Sequence, residues 1–176
     1  MKPNANKQAL KKAIQICLFI VISQAVSAQI KISNNETRKL YEEASEAYML
    51  RDDIDAGICN EYSTITIHVR NKKVQDSVDF SRNPKIIKIA FFRSLSVYKK
   101  ANWGKIIPKS PADFDILQPF NFHYYPDTIA NCPDPLSSNQ IKEMLDADIK
   151  SRKNKKIPTY LFDPMKLWSS APVSRK

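Results

Sequence analysis

His68 and His123 are the only histidines in this chain of 176 residues, and imidazole is the side chain best suited to proton transfer near neutral pH. As a pair they can divide acid and base roles, with Arg70 or a lysine stabilising the charge that develops on a phosphodiester. A hydrolase or a nuclease-like toxin is therefore one reading. As a metal site the pair is thin. Zinc takes three or four ligands, and no acid or cysteine stands at a suitable local spacing. Neither Cys59 nor Cys132 has the sequence context of a catalytic nucleophile. Both histidines fall on outward positions of adjacent strands, where they either approach one another across a sheet or stand solvated without a catalytic role. Gly57 and Gly104 are the only glycines. Glycine-rich phosphate loops, dinucleotide fingerprints and glycine-containing nucleophile elbows are thereby excluded.

The first 28 residues read as an export signal. Lys2, Lys7, Lys11 and Lys12 precede the apolar run Ala13–Ile22, and Val26 and Ala28 supply the small residues that a signal peptidase accepts. The apolar run is shorter than the roughly 20 residues a membrane helix needs, so cleavage before Gln29 is expected, with no stable span left behind. The chain left after cleavage has 148 residues, enough for one domain with a core. Cleavage lowers the formal charge from +10 to +6, leaving 24 basic against 18 acidic side chains. Much of that excess lies in Lys150, Arg152, Lys153, Lys155 and Lys156, either a patch for phosphate or anionic lipid or a solvated basic helix end. Export also exposes Cys59 and Cys132 to an oxidising compartment, where they would form a disulfide or remain two buried thiols.

The elements follow from periodicity. Asn34 or Asn35 can cap a helix in which Leu40, Ala44, Ala47 and Tyr48 share a face. Asn35-Glu36-Thr37 also fits a glycosylation acceptor, a reading that matters only in a eukaryotic secretory pathway. Ile65, Ile67 and Val69 alternate with Thr64, Thr66, His68 and Arg70, then Asn71-Lys72-Lys73 turns the chain into Val74, Asp76, Val78 and Phe80: a hairpin. Asn83-Pro84 reads as the start of a helix carrying Ile87, Ala90, Phe91, Leu95 and Tyr98, with Gly104 near its end. Phe120, Phe122 and Tyr124 alternate with Asn121, His123 and Tyr125 in a third strand. The run of aromatics there, with Trp103 nearby, would stack bases or sugars if exposed, but its alternation assigns most of it to the core. Ser137 and Gln140 form a capping box for a last helix carrying Ile141, Leu145 and Ile149, and Thr159–Phe162 is a short extended segment.

The order of ITIHVRNKKVQDSVDFSRNP, IIKIAFFRSLSVYKKANW and ILQPFNFHYY resembles the C-terminal domain of TonB-type energy transducers, above all the divergent stand-alone copies of secreted Bacteroidetes-like proteins. The resemblance covers about residues 62–125. It implies a β-β-α-β core and a partner-binding edge on the third strand, Phe120, Asn121, Phe122, His123, Tyr124 and Tyr125, where a peptide is taken up by strand addition, unless the extension 126–176 itself covers that edge. Glu61-Tyr62-Ser63 stands where the family has Tyr-Pro, and no proline-rich spacer follows the N-terminal apolar segment. The fold is therefore carried over rather than force transduction.

The expected fold class is α+β: a three-stranded antiparallel sheet with one packed helix, an N-terminal helix and a C-terminal helical extension. The expected organisation is a signal over 1–28, an N-terminal helical segment over 29–61, the core over 62–125 and a proline-rich, basic extension over 126–176. The expected function is a non-enzymatic periplasmic or secreted module that binds a protein or peptide of the cell envelope, without cofactor, metal or nucleic acid. The alternative is an exported hydrolase using His68 and His123.

Overall fold

In chain order the elements are β1 (Ile30–Lys31), α1 (Asn35–Tyr48), β2 (Asn60–Arg70), β3 (Lys73–Phe80), α2 (Ile86–Lys100), α3 (Trp103–Ile106), β4 (Phe114–Tyr125), α4 (Ser138–Ser151), β5 (Thr159–Leu161) and β6 (Met165–Ser170). They come from a computed structural model that describes residues 30–31, 34–48, 58–125, 132–152 and 156–170. The expected signal, Lys153 and Lys155 lie outside these.

The hairpin forms as its alternation predicts, but its turn does so without glycine. Asn71 and Lys72 both adopt the left-handed conformation, at φ 50° and 63°, where glycine is the usual occupant of the second position. A neighbouring loop holds them there. The Lys72 amide donates to Ala112 O at 2.9 Å, its ammonium to Ser110 O at 2.6 Å, and the Asn71 amide to Asp113 Oδ1 at 2.9 Å.

α2 begins later than Asn83-Pro84 suggests. Lys85 is its N-cap and offers no side-chain cap. The cap comes from β2 instead: the Glu61 carboxylate accepts the amides of Lys85, Ile86 and Ile87 at 2.7, 2.8 and 3.0 Å. A full negative charge thus sits on the positive end of the helix dipole and satisfies three otherwise orphaned donors. The helix ends at Lys100, and Gly104 lies within α3 instead of stopping α2. α1 and α4 begin as expected. Asn34 Oδ1 accepts the Thr37 amide, and Ser137 and Gln140 form a reciprocal capping box.

The protein is mixed α+β, and its sheet is larger than three strands. Among the described residues it has six, in the order β1-β5-β4-β2-β3, with β6 also on β4. β2 pairs antiparallel with β3 and with β4. The three short strands β1, β5 and β6 pair in parallel and extend the sheet beyond β4. The extension after residue 125 is therefore built into the sheet.

The inner face of the sheet carries the core. Ile65, Ile67, Val69, Ile116, Phe120 and Phe122 are fully buried there against Ile87, Ala90, Phe91 and Tyr98 of α2. Phe91 meets Phe80 and Phe120 edge-on. α1 adds Leu40, Ala44 and Tyr48, and the Tyr48 and Tyr98 hydroxyls share a buried hydrogen bond of 3.0 Å. Tyr124 and Leu95 are only half-buried.

The outer face is not the solvated surface that its polar alternation suggests. Tyr62, Thr64, Asp115, Asn121 and His123 are all buried. α4 lies on this side. Asp148 reaches Thr64, Arg152 at the helix end reaches Asp115, and Asn60 donates to the carbonyls of Pro133 and Asp134 before the helix begins. Cys59 and Cys132 are joined by a disulfide, with Cα atoms 5.4 Å apart. The bridge ties the start of β2 to the segment leading into α4. No helix among the described residues is long and apolar enough to cross a membrane.

Candidate functional site

The two histidines do not meet. β2 and β4 run antiparallel with His68 opposite Asp115 and His123 opposite Asn60, so the rings sit eight residues apart along β2, about 26 Å at the usual strand rise. Direct proton exchange between them is excluded by that register. His123 is buried, its Nδ1 2.7 Å from Asn60 Oδ1.

His68 belongs to an ionic cluster that sequence reading did not single out. Its Nδ1 is 3.0 Å from Asp115 Oδ1 and its Nε2 3.2 Å from Asp79 Oδ2. Asp115, whose side chain is 4% exposed, also receives Arg70 at 2.9 Å and Arg152 at 2.7 Å. The hydrogen bond to Asp115 raises the His68 pKa above its ordinary value, and Asp79 adds to this against the opposing effect of burial. Burial would raise the Asp115 pKa, but hydrogen bonds from His68 and Arg70 outweigh it and hold the carboxyl below its usual range. The cluster borders an outer-face cleft of about 630 Å³, lined also by Thr66, Leu117 and Ile157. With a carboxylate on each ring nitrogen, His68 is suited to remaining protonated rather than to taking a proton from a substrate.

This geometry sets a pH dependence. His68 holds its proton more tightly in the folded chain than in the unfolded one. Its contribution is complete below the ordinary value of 6.5 and is lost as pH rises through the raised folded value. Asp115 behaves oppositely, stabilising above its ordinary value of 3.8 and losing that contribution as pH falls through the lowered folded value. Urea unfolding between about pH 5.5 and 8.5 is expected to show stability declining with pH more steeply in the natural chain than in His68→Gln. Equal slopes would remove His68 from the cluster's energetics.

Of the two readings of the edge at Phe120–Tyr125, the structure shows the one in which the chain's own extension covers it. β2 pairs with one side of that stretch, and β6 pairs with the other from Phe120 opposite Met165 to Tyr125 opposite Ser170. The seat expected for a peptide is taken by the chain's own C-terminal strand. Phe120 and Phe122 face the core, and Asn121 and His123 are buried on the outer face. Phe120, Phe122 and Trp103 are thus core, not a stacking platform.

The basic run is also divided. Arg152 is committed to Asp115 and Thr159, whereas Lys150 and Lys156 are exposed. Lys153 and Lys155 lie outside the described residues. The five do not form one free patch.

The surface that stands out instead is the outward side of α2. Among the described residues the exposed large hydrophobics are Ile89 and Phe92, at 47% and 45%, one helical turn apart. Lys85, Lys88, Arg93, Lys99 and Lys100 are exposed on or beside the same side, and α2 contains no acidic residue. Phe92 leans against Phe80, and Lys99 pairs with Asp76, so this stripe runs alongside β3. The composition of KIIKIAFFRSL carried a usable signal. It holds more large apolar side chains than one helix face can bury, and Ile89 and Phe92 fall off the Ile87–Ala90–Phe91 face.

β3 is the open edge of the sheet on this side, paired only with β2 among the described residues. It is poorly shaped to receive a strand. Its pairing with β2 is irregular between Ile67 and Val69, and it carries Lys73, Asp76 and Asp79. Irregular pairing and charge both blunt an edge.

The chain matches no family model, no curated protein and no solved structure.

Proposed function

We propose that this chain is an exported, non-enzymatic binding module that docks an acidic protein of the cell envelope on the exposed side of α2. The observation that carries this is the pairing of Ile89 and Phe92 within a helix surface rich in cations and free of acids. Exposed apolar anchors on a helix whose own charges are all positive fit a partner groove with an apolar floor and a carboxylate rim, with Asp76 of β3 engaging Lys99 at one end. The charge would steer encounter and the anchors would supply most of the affinity. The signal-like N-terminus and the Cys59–Cys132 bridge support a periplasmic or extracellular setting. The order hairpin, helix, antiparallel third strand supports a TonB C-terminal-like core over residues 62–125. In that case the seat expected for a strand-adding peptide is filled by β6, and docking moves to the helix.

A protein partner is favoured over a membrane surface. α2 spends its apolar side on the core, and two half-exposed residues offer little area to insert among lipids. A hydrolase is disfavoured because the histidines are separated and His68 is held by carboxylates on both nitrogens.

Phe92→Ser is expected to weaken capture of the envelope partner by about thirty-fold, the loss of one interface anchor worth about 2 kcal/mol. Lys85→Glu with Lys88→Glu should slow association and weaken its salt dependence. Thermal unfolding of the variants should remain close to that of the natural chain. Unchanged capture by both would overturn the assignment, and binding to anionic vesicles but to no protein would replace it with a membrane surface.

A further inference from the structure

α4 is attached differently from the other helices. Ile141, Leu145 and Ile149 recur on one side of it, yet none of its residues is buried. The sheet face opposite offers Thr64, Thr66 and His68 beside the buried side chains of Tyr62 and Leu117. The attachments are polar and lie at the C-terminal end. The Asp148 carboxylate accepts from the Thr64 hydroxyl at 2.7 Å and from Arg82 at 3.0 Å, and Arg152 at the C-cap donates to Asp115 at 2.7 Å. At the other end the tie is covalent, through Cys132 shortly before the N-cap Ser137. Between the helix end and the sheet lies the cleft of about 630 Å³, walled by Thr66, His68 and Asp79 on one side and by Asp148, Arg152 and Ile157 on the other.

We infer that α4 is a cover tethered at both ends, by the Cys59–Cys132 bridge before it and by β5 after it, and latched by Asp148 and Arg152: it lifts to open the outer-face cleft while the sheet and its core stay folded. The physical basis is that an amphipathic helix, none of whose residues is buried, lies over a floor of mixed polarity. Lifting the helix gives up half-buried apolar surface and the ion pairs of Asp148 and Arg152, whose partly buried charges make them the main latch. Asn121 Oδ1, buried without a partner on the same sheet face, gains access to water when the face is uncovered. The bridge keeps the helix local, so the cover closes again without a search. Phe91, Phe120 and the other core residues lie on the opposite side of the sheet and are untouched by the movement.

Hydrogen exchange on the full chain tests this, because a detached helix of 14 residues is marginal in water and its amides exchange whenever it lifts. The amides of residues 142–151 are expected to exchange at least about a hundredfold faster than those of β2 and β4. Asp148→Asn should accelerate α4 about tenfold more and leave β2 and β4 unchanged, and about 0.5 M salt should act on the unaltered chain in the same direction. Exchange of α4 at the same rate and with the same denaturant dependence as β2 and β4 would overturn the inference. So would an Asp148→Asn variant that accelerates all three elements equally.

Discussion

Asp115→Ala is expected to destabilise the chain by about 3 kcal/mol, seen as a lower urea midpoint at unchanged slope. The effect is large because Asp115 is the shared partner of Arg70, Arg152 and His68, and its side chain is 4% exposed. Removing one member of such a cluster leaves the opposite charges partly buried and unmatched. The arginine side chains are 29% and 16% exposed, so water recovers part of the loss, which places the expectation at the low end for a buried ion pair. Arg70 keeps its bonds to the carbonyls of Val69 and Phe114 at 2.8 and 2.9 Å. Arg152 keeps only Thr159, so the end of α4 should loosen first. Asp115→Asn, which keeps the shape and one acceptor, should cost less. A loss under about 1 kcal/mol for alanine would mean that the cluster is an ordinary surface pairing.

Loss of the Cys59–Cys132 bridge is the second large effect. The bridge spans a sequence separation of 73, and closing a loop of that length restricts the unfolded chain by about 4 kcal/mol on the chain-entropy model. Cys59→Ser with Cys132→Ser should therefore lower the thermal midpoint by roughly 12 °C, and reduction of the natural chain should do the same. Against a typical total stability of about 5–15 kcal/mol, such a loss is a large fraction of what keeps the chain folded. A double serine variant as stable as the parent would show that the unfolded chain is already compact across this loop.

The hairpin, α2 and the third strand were legible because each repeats its apolar residues with its own period over many positions. Ile65, Ile67 and Val69 alternate, Ile87, Ala90 and Phe91 recur along the helix, and Phe120 and Phe122 point to the core. What escaped reading had no local period. β1 has two residues, too few for any alternation; β5 was legible as a short extended segment but its place in the sheet was not, and β6 is recruited by parallel pairing from 45 positions further along the chain. Glu61 caps a helix that begins 25 residues later, so the local rule favoured Asn83-Pro84 over a cap supplied from another strand. Asn121 and His123 read as solvent-facing because they are polar, whereas the α4 segment that lies on their side of the sheet comes from residues that follow them. Asp115, an acid inside the apolar stretch of β4, was the one local hint of the ionic cluster. The cysteines left two outcomes open, and only the fold, by bringing their Cα atoms to 5.4 Å, selects the bridge.

The central claim is that the outward side of α2 is where a partner binds. The most direct measurement places a photoreactive amino acid at Ile89, Phe92, Asn121 and Lys142 in turn and irradiates the intact cells that make the protein. The account predicts a common protein adduct from positions 89 and 92, diminished by Lys85→Glu with Lys88→Glu, and none from the β4 position 121 or the α4 position 142. An adduct from 121 or 142 with none from 89 and 92, or no adduct at any of the four, would contradict it.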